Sequence, residues 1–199
     1  MTGETPPLFD VPAEREQQLG RTLELPDPQL AQMRLLSVYE GATPPDVEKG
    51  SSWYFDVNEL CREMADASTH AHISPLHVAG IIAALSPMRS WPDNVRKARE
   101  AVETGVARGL GHTVETSGLI WHGFDPQVVI ARTNNNPKVQ AFFDNISHPE
   151  TSQKVTVDRH MWNLLFDDLG VVAKAGLRFT SAEYEWASEQ VKKVAAEIG

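Results

Sequence analysis

The chain has 199 residues, of which 41% are hydrophobic and 23% charged, and a net charge of −9. That length supports one well-cored domain, and no apolar run approaches the roughly 18 residues that span a bilayer, which excludes a membrane-spanning helical protein. The acidity also argues against a protein that coats nucleic acid through phosphate contacts alone, since that affinity comes from Lys and Arg displacing counterions.

Residues 1–28 are rich in Pro and Glu and carry little apolar periodicity, which predicts an acidic leader that is extended or partly disordered. Its opening, MTGETPPLFDVPAEREQQ, has neither the basic stretch nor the apolar core of a secretory signal, so the expected compartment is the cytoplasm. From Gln29 the pattern turns helical, and residues 29–199 read as one domain. A short helix over 29–40 ends before Gly41. In SSWYFDVNELCREMADA, with Ser52 as cap, Trp53, Val57, Leu60, Cys61 and Met64 recur at helical spacing and make one buried stripe. Cys61 is the single cysteine, so neither an internal disulfide nor a cysteine-ligated metal site is expected. THAHIS sets His70 and His72 two apart with nothing at helical spacing to complete a ligand set, and neither a metal nor another cofactor is expected. ISPLHVAGIIAALSP begins with Ser74 as cap and Pro75 in the first turn and is apolar all round, the pattern of a central buried helix.

SWPDNVRKAREAVETG restarts a helix with Ser90 as cap, Pro92 in the first turn and Gly105 as the stop. Arg89, Arg96, Lys97 and Arg99 make the densest basic patch. Val106 to Asp125 reads as loop, apart from a short apolar piece at SGLIWHGF, and residues 126–132 read as one or two helical turns. NPKVQAFFDNI puts Val139, Phe142, Phe143 and Ile146 on one helical face. After the loop SHPETSQ, the extended apolar run of VTVDRHMWNLL enters a helix running to about Leu169. Last, TSAEYEWASEQVKKVAAEIG opens with the capping box Thr180-x-x-Glu183 and buries Ala187, Val191, Val194 and Ile198. There is no internal repeat and no sheet pattern, so the expected fold is mostly α.

Asp158, in VTVDRHMWNLL, admits two readings. Asp is a preferred N-cap and suits the positive end of a helix dipole, so it serves as a cap; or it is the working carboxylate of a site. Two segments bear on the choice. ALSPMRSWPDNVRKA, Ala84 to Ala98, resembles the end of a buried helix with an LSxQ turn and a following N..KA helix. NNNPKVQAFFDNI followed by VTVDRHMWNLL resembles a lysine-bearing hairpin, an apolar helix and an extended VDTH entry. Together, in order and spacing over roughly residues 50–195, they are similar to the helix-hairpin-helix DNA glycosylase superfamily of the endonuclease III type, and to small phage-encoded proteins with that core, some acting in DNA base hypermodification.

The resemblance implies a single-domain helical bundle with a degenerate hairpin, since the family's LPGxGxxTA is absent and RTNNNPK stands in its place. It implies DNA as partner, with the host cytoplasm as the setting if the protein is phage-encoded. Asp158 then matches the catalytic aspartate and His160 the histidine of VDTH, and Lys138 lies near the hairpin lysine of lyase-active members. A fixed carboxylate stabilises the cationic sugar that appears when an N-glycosidic bond breaks. Lys138 is the candidate amine nucleophile, or else a solvated residue of a first helical turn. Asn134, Asn135 and Asn136 are candidates for the phosphate nest, because asparagine visits the left-handed region readily, against the alternative of a polar turn. Arg89, Arg159 and His160 are further DNA contacts, and Trp91, Asn94 and Trp121 are candidates for the wall and plug that an extruded base needs. The competing reading is a non-catalytic DNA-binding or host-protein-interaction module of phage origin in which Asp158 is only a cap.

Overall fold

The computed structural model describes residues 25–109, 111–133, 136–166 and 180–199, and within these it is all helical, with no strand. Most of the acidic leader, the asparagines Asn134 and Asn135, and the expected helix end at Leu169 lie outside the described residues. No helix among them is long and apolar enough to cross a membrane.

Each helix start follows from local chemistry. Helix α1, Pro28–Gly41, is capped by Asp27, whose carboxylate accepts the Gln29 N–H at 2.7 Å. Helix α2, Pro44–Asp66, starts well before the expected Ser52: Thr43 and Asp46 form a reciprocal capping box, and Pro44 presets the first turn. Ser52 is therefore an interior residue whose hydroxyl bonds Asp56 at 3.1 Å. Helix α3, Pro75–Leu85, is buried on all sides from Val78 onward. Helix α4, Trp91–Thr104, ends at Gly105, whose φ of 72° is the left-handed conformation that glycine adopts without cost.

Helix α5, Gly111–Trp121, replaces the loop expected over 106–125. Its Thr, Ser and Gly residues are weak helix formers, and tertiary packing overrides them. Thr113, Thr116, Ser117 and Ile120 are buried against α3, where the backbones come so close that a Cβ on Gly80 would lie 3.1 Å from Ile120 and 2.7 Å from Pro126. Helices α6, Pro126–Thr133, and α7, Pro137–Ser147, complete this layer. Helix α8, Arg159–Phe166, follows the irregular segment 152–158, and α9, Ser181–Ile198, opens with the expected Thr180–Glu183 box. Along α9, Ala187 and Val194 are buried, but Ile198 is exposed at the terminus, and the polar Glu183 and Gln190 are buried in its place.

The apolar side chains gather in two clusters. The larger is built around α3 from α2 to α7 and includes Val57, Cys61, Ile82 and Phe142. The smaller joins α1, α8 and α9 through Ala31, Leu35, Val157, Trp162, Leu165 and Ala187.

Candidate functional site

A cleft of about 300 Å³ opens where α2, the α3–α4 turn, α4, α7 and the 152–158 segment meet. Its walls are aromatic. The Trp53 ring centre lies 5.0 Å from that of Trp91 and 5.9 Å from that of Phe142, to which it is nearly parallel at 24°. Tyr54 stands edge-on to Trp53 at 5.0 Å. Such offset and edge contacts hold rings in fixed orientations.

Asp158 is both cap and cleft residue. Its Oδ1 accepts the Met161 N–H at 2.8 Å and its carbonyl accepts the Trp162 N–H at 2.9 Å, which makes it the N-cap of α8. It also lines the cleft, and among the described residues no donor reaches Oδ2. The two readings of this residue are thus compatible, with one oxygen committed to the helix and the other open.

The segment that carries Asp158 is pinned from two sides. Tyr54 donates its hydroxyl to Thr156 Oγ1 at 2.9 Å, and Asn145 Nδ2 donates to the same oxygen at 3.1 Å. From α9, the Tyr184 hydroxyl donates to the Val155 carbonyl at 2.8 Å and accepts the Val157 N–H. Burial pushes that phenol up to about 12, so it stays a neutral clamp throughout the working pH range.

Lys138 projects from the first turn of α7, where Pro137 precedes it and the Asn136 side chain accepts its backbone N–H at 3.0 Å. Its half-buried side chain lines the cleft. Burial pushes the ammonium below its ordinary 10.5, and the negative charge of Asp158 offsets part of that fall. Among the described residues no hydrogen bond or ion pair holds the Lys138 amine.

Arg89 lines the cleft but is already engaged, donating to Asp93 at 2.8 Å and to the Arg108 carbonyl at 2.9 Å. Asp93 also receives Arg96 and lies 3.7 Å from Lys97. Hydrogen bonds from Arg96 and Arg89 hold the Asp93 carboxyl below its usual value. Three members of the basic patch read from the sequence thus share the single carboxylate of Asp93. Asn94, at 2% exposure, donates Nδ2 to the Ile82 carbonyl at 3.1 Å, which ties α4 to the end of α3 beneath the cleft.

Of the residues singled out in the sequence, Asp158, Lys138, Arg89, Trp91 and Asn94 come together in this one cleft. Arg159 and His160 are exposed on the first turn of α8 and do not line it. Asn136 is the exposed cap of α7. Trp121 lies elsewhere, its ring edge-on to His70 and His72 and its Nε1 donating to the Val102 carbonyl at 3.1 Å. Those two histidines are occupied with backbone, His70 Nε2 at 3.0 Å from the Glu103 carbonyl and His72 Nε2 at 2.6 Å from that of Trp121.

Sequence reasoning missed Tyr54, Ser86 and Thr156; it read Trp53 and Phe142 as packing, and Phe142 does belong to the larger cluster with Trp53 packed against it, while both also line the cleft. Adjacent Trp53 and Tyr54 on a helix face otherwise made of aliphatic residues is the signal that pointed to more than packing. Met88 does not line the cleft but stands out in its backbone. This residue, at the turn between Ser86 and Arg89, has φ 61° and is 87% exposed, the most exposed large apolar side chain described. A bulky residue held left-handed costs roughly 1–2 kcal/mol, and such outliers gather at functional sites.

The chain belongs to the family described as Family of unknown function (DUF7178), whose model matches residues 25–199. No curated protein and no solved structure matches it.

Proposed function

We propose that this family member is a DNA-associated protein of the helix-hairpin-helix glycosylase-like kind, with a degenerate hairpin, which takes a nucleobase into the aromatic cleft and acts at its N-glycosidic bond. The observation that carries this reading is the convergence of Asp158, Lys138, Arg89, Trp91 and Asn94, drawn from motifs far apart in the chain, on one aromatic-walled hollow. When the bond breaks, positive charge develops on the sugar, and a carboxylate held in place beforehand stabilises it without reorganising. Asp158 fits that role because its backbone-bound oxygen fixes it while Oδ2 stays open. Lys138, its ammonium weakened by burial, supplies the amine that attacks the sugar carbon after the base departs. A base extruded from a duplex leaves a gap that an apolar wedge fills, and exposed Met88 beside the cleft has the shape for it. The cytoplasm, that of a host cell if the protein is phage-encoded, is the compartment in which such DNA is met.

The test is to incubate the protein with damaged and hypermodified duplexes and follow base release by mass spectrometry, in parallel with Asp158→Asn. Release by the parent protein that disappears in a folded Asp158→Asn supports the reading. A second reading, a non-catalytic module that binds DNA or a host protein, draws on one observation: the net charge of −9, with Arg89, Arg96 and Lys97 drawn in around Asp93. Absence of release from every duplex, with unchanged partner binding by Asp158→Asn, points to that module.

A further inference from the structure

We infer that the cleft selects its base by a hydrogen-bond donor, with Asn94 Oδ1 accepting an N–H from the ring edge and Ser86 Oγ meeting the polar atom beside it. The inference deepens the base-site reading and rests on it.

Both side chains lie on the cleft wall, Ser86 at 7% exposure and Asn94 at 2%, and among the described residues neither Ser86 Oγ nor Asn94 Oδ1 has a hydrogen-bond partner. The Asn94 amide is oriented by its own neighbour: Nδ2 donates to the Ile82 carbonyl at 3.1 Å, so the atom left over is the oxygen, which can only accept. The Ser86 backbone N–H is taken by the Ala83 carbonyl at 3.2 Å, and its hydroxyl can donate or accept. Buried polar atoms are nearly always paired, because leaving one unpaired costs stability. Two unpaired oxygens closed to water, on side chains of one cleft wall, are accounted for by a ligand that brings the missing partners. The other buried oxygens and nitrogens without partners, on His77, Ser147 and Asn163, do not line it.

The chemistry of the walls narrows the ligand. Trp53, Trp91 and Phe142 line it with aromatic rings, which favour a flat conjugated group, and the polar edge asks that group for an N–H. A sugar lacks the flat face, and a phenyl ring lacks the donor. A volume of about 300 Å³ suits one nucleoside. The exocyclic amine of adenine or cytosine, or the ring N–H of uracil, satisfies Asn94; a base with no N–H on that edge leaves it unpaired.

The experiment titrates the full chain with adenosine, with nebularine, which lacks only the amino group, and with N6,N6-dimethyladenosine, and follows intrinsic tryptophan fluorescence. Stacking area is nearly constant between adenosine and nebularine, so their difference reports the donor. Adenosine is expected to bind on the order of tenfold tighter than either analogue. Asn94→Leu is expected to abolish the preference. Because that change also removes the Ile82 bond, Ser86→Ala is measured beside it: it gives up no partner within the protein, so it keeps the melting temperature while weakening all three ligands. Equal affinity of the parent protein for adenosine and nebularine overturns the donor inference and leaves the base site standing. No saturable response to any nucleoside overturns both.

Discussion

The Tyr184 hydroxyl accepts the backbone N–H of Val157 at 3.0 Å, one residue ahead of Asp158. Through that bond a residue of α9 sets the position of a carboxylate that caps α8. Tyr184→Phe removes the acceptor and leaves the N–H of fully buried Val157 unpaired. The expected loss is about 1–3 kcal/mol in a urea denaturation series, the usual cost of stranding a buried polar group. Base release should fall by more than the lost folded fraction explains, because Asp158 is no longer held in place.

Asp158 itself separates into two roles by choice of substitution. Asparagine caps helices as well as aspartate does, so Asp158→Asn is expected to keep the melting temperature while removing the charge. Asp158→Ala loses the cap as well and should cost about 1 kcal/mol of stability. If chemistry depends on the charge, both variants lose base release alike although only one loses stability. If activity instead tracks the melting temperature, Asp158 is a cap and nothing more.

Lys138 gives a pH signature with a defined sign. Its folded ammonium loses its proton more readily than the ordinary 10.5, so between the folded and unfolded values the unfolded chain binds more protons. The lysine is therefore a burden on stability at neutral pH that lifts as pH rises toward 10.5. Lys138→Met is expected to raise the melting temperature, with a gain larger at pH 7 than at pH 10. Borohydride trapping of the parent protein on DNA with an abasic site should increase with pH, reach half its maximum below the ordinary lysine range, and vanish in Lys138→Met.

On the proposed function, Met88 trades stability for duplex binding. Glycine adopts φ 61° freely, so Met88→Gly is expected to stabilise the fold by about 1 kcal/mol by relieving the left-handed strain. The same change should weaken binding to a duplex while leaving the binding of a free nucleoside intact, as read by fluorescence titration of each. A stabilised variant with undiminished duplex binding removes Met88 from the interface.

Much of the helical layout was legible because its signals are local. Ser74–Pro75, Ser90 with Gly105, and Thr180–Glu183 are capping chemistry that acts within one turn, and the structure places those helix starts and stops accordingly. The errors came where non-local packing or a competing local signal decided. Residues 111–121 become helical because Ile120 fits against Gly80, a contact that no window of sequence contains. Ser52 was eclipsed as a start by the Thr43 box nine residues upstream and its following proline. At the site, the charged and polar members announced themselves through motif position. The aromatic walls did not, since a tryptophan at helical spacing looks the same whether its face meets core or an open hollow.

The hollow lies on the seam between the two apolar clusters: Phe142 belongs to one, and Asp158 follows directly on Val157 of the other. Whatever settles there touches both bodies and rivets them together, so occupancy and cooperative melting are one linked equilibrium. A dye-monitored melt over a panel of small molecules thereby becomes a ligand screen that requires no turnover.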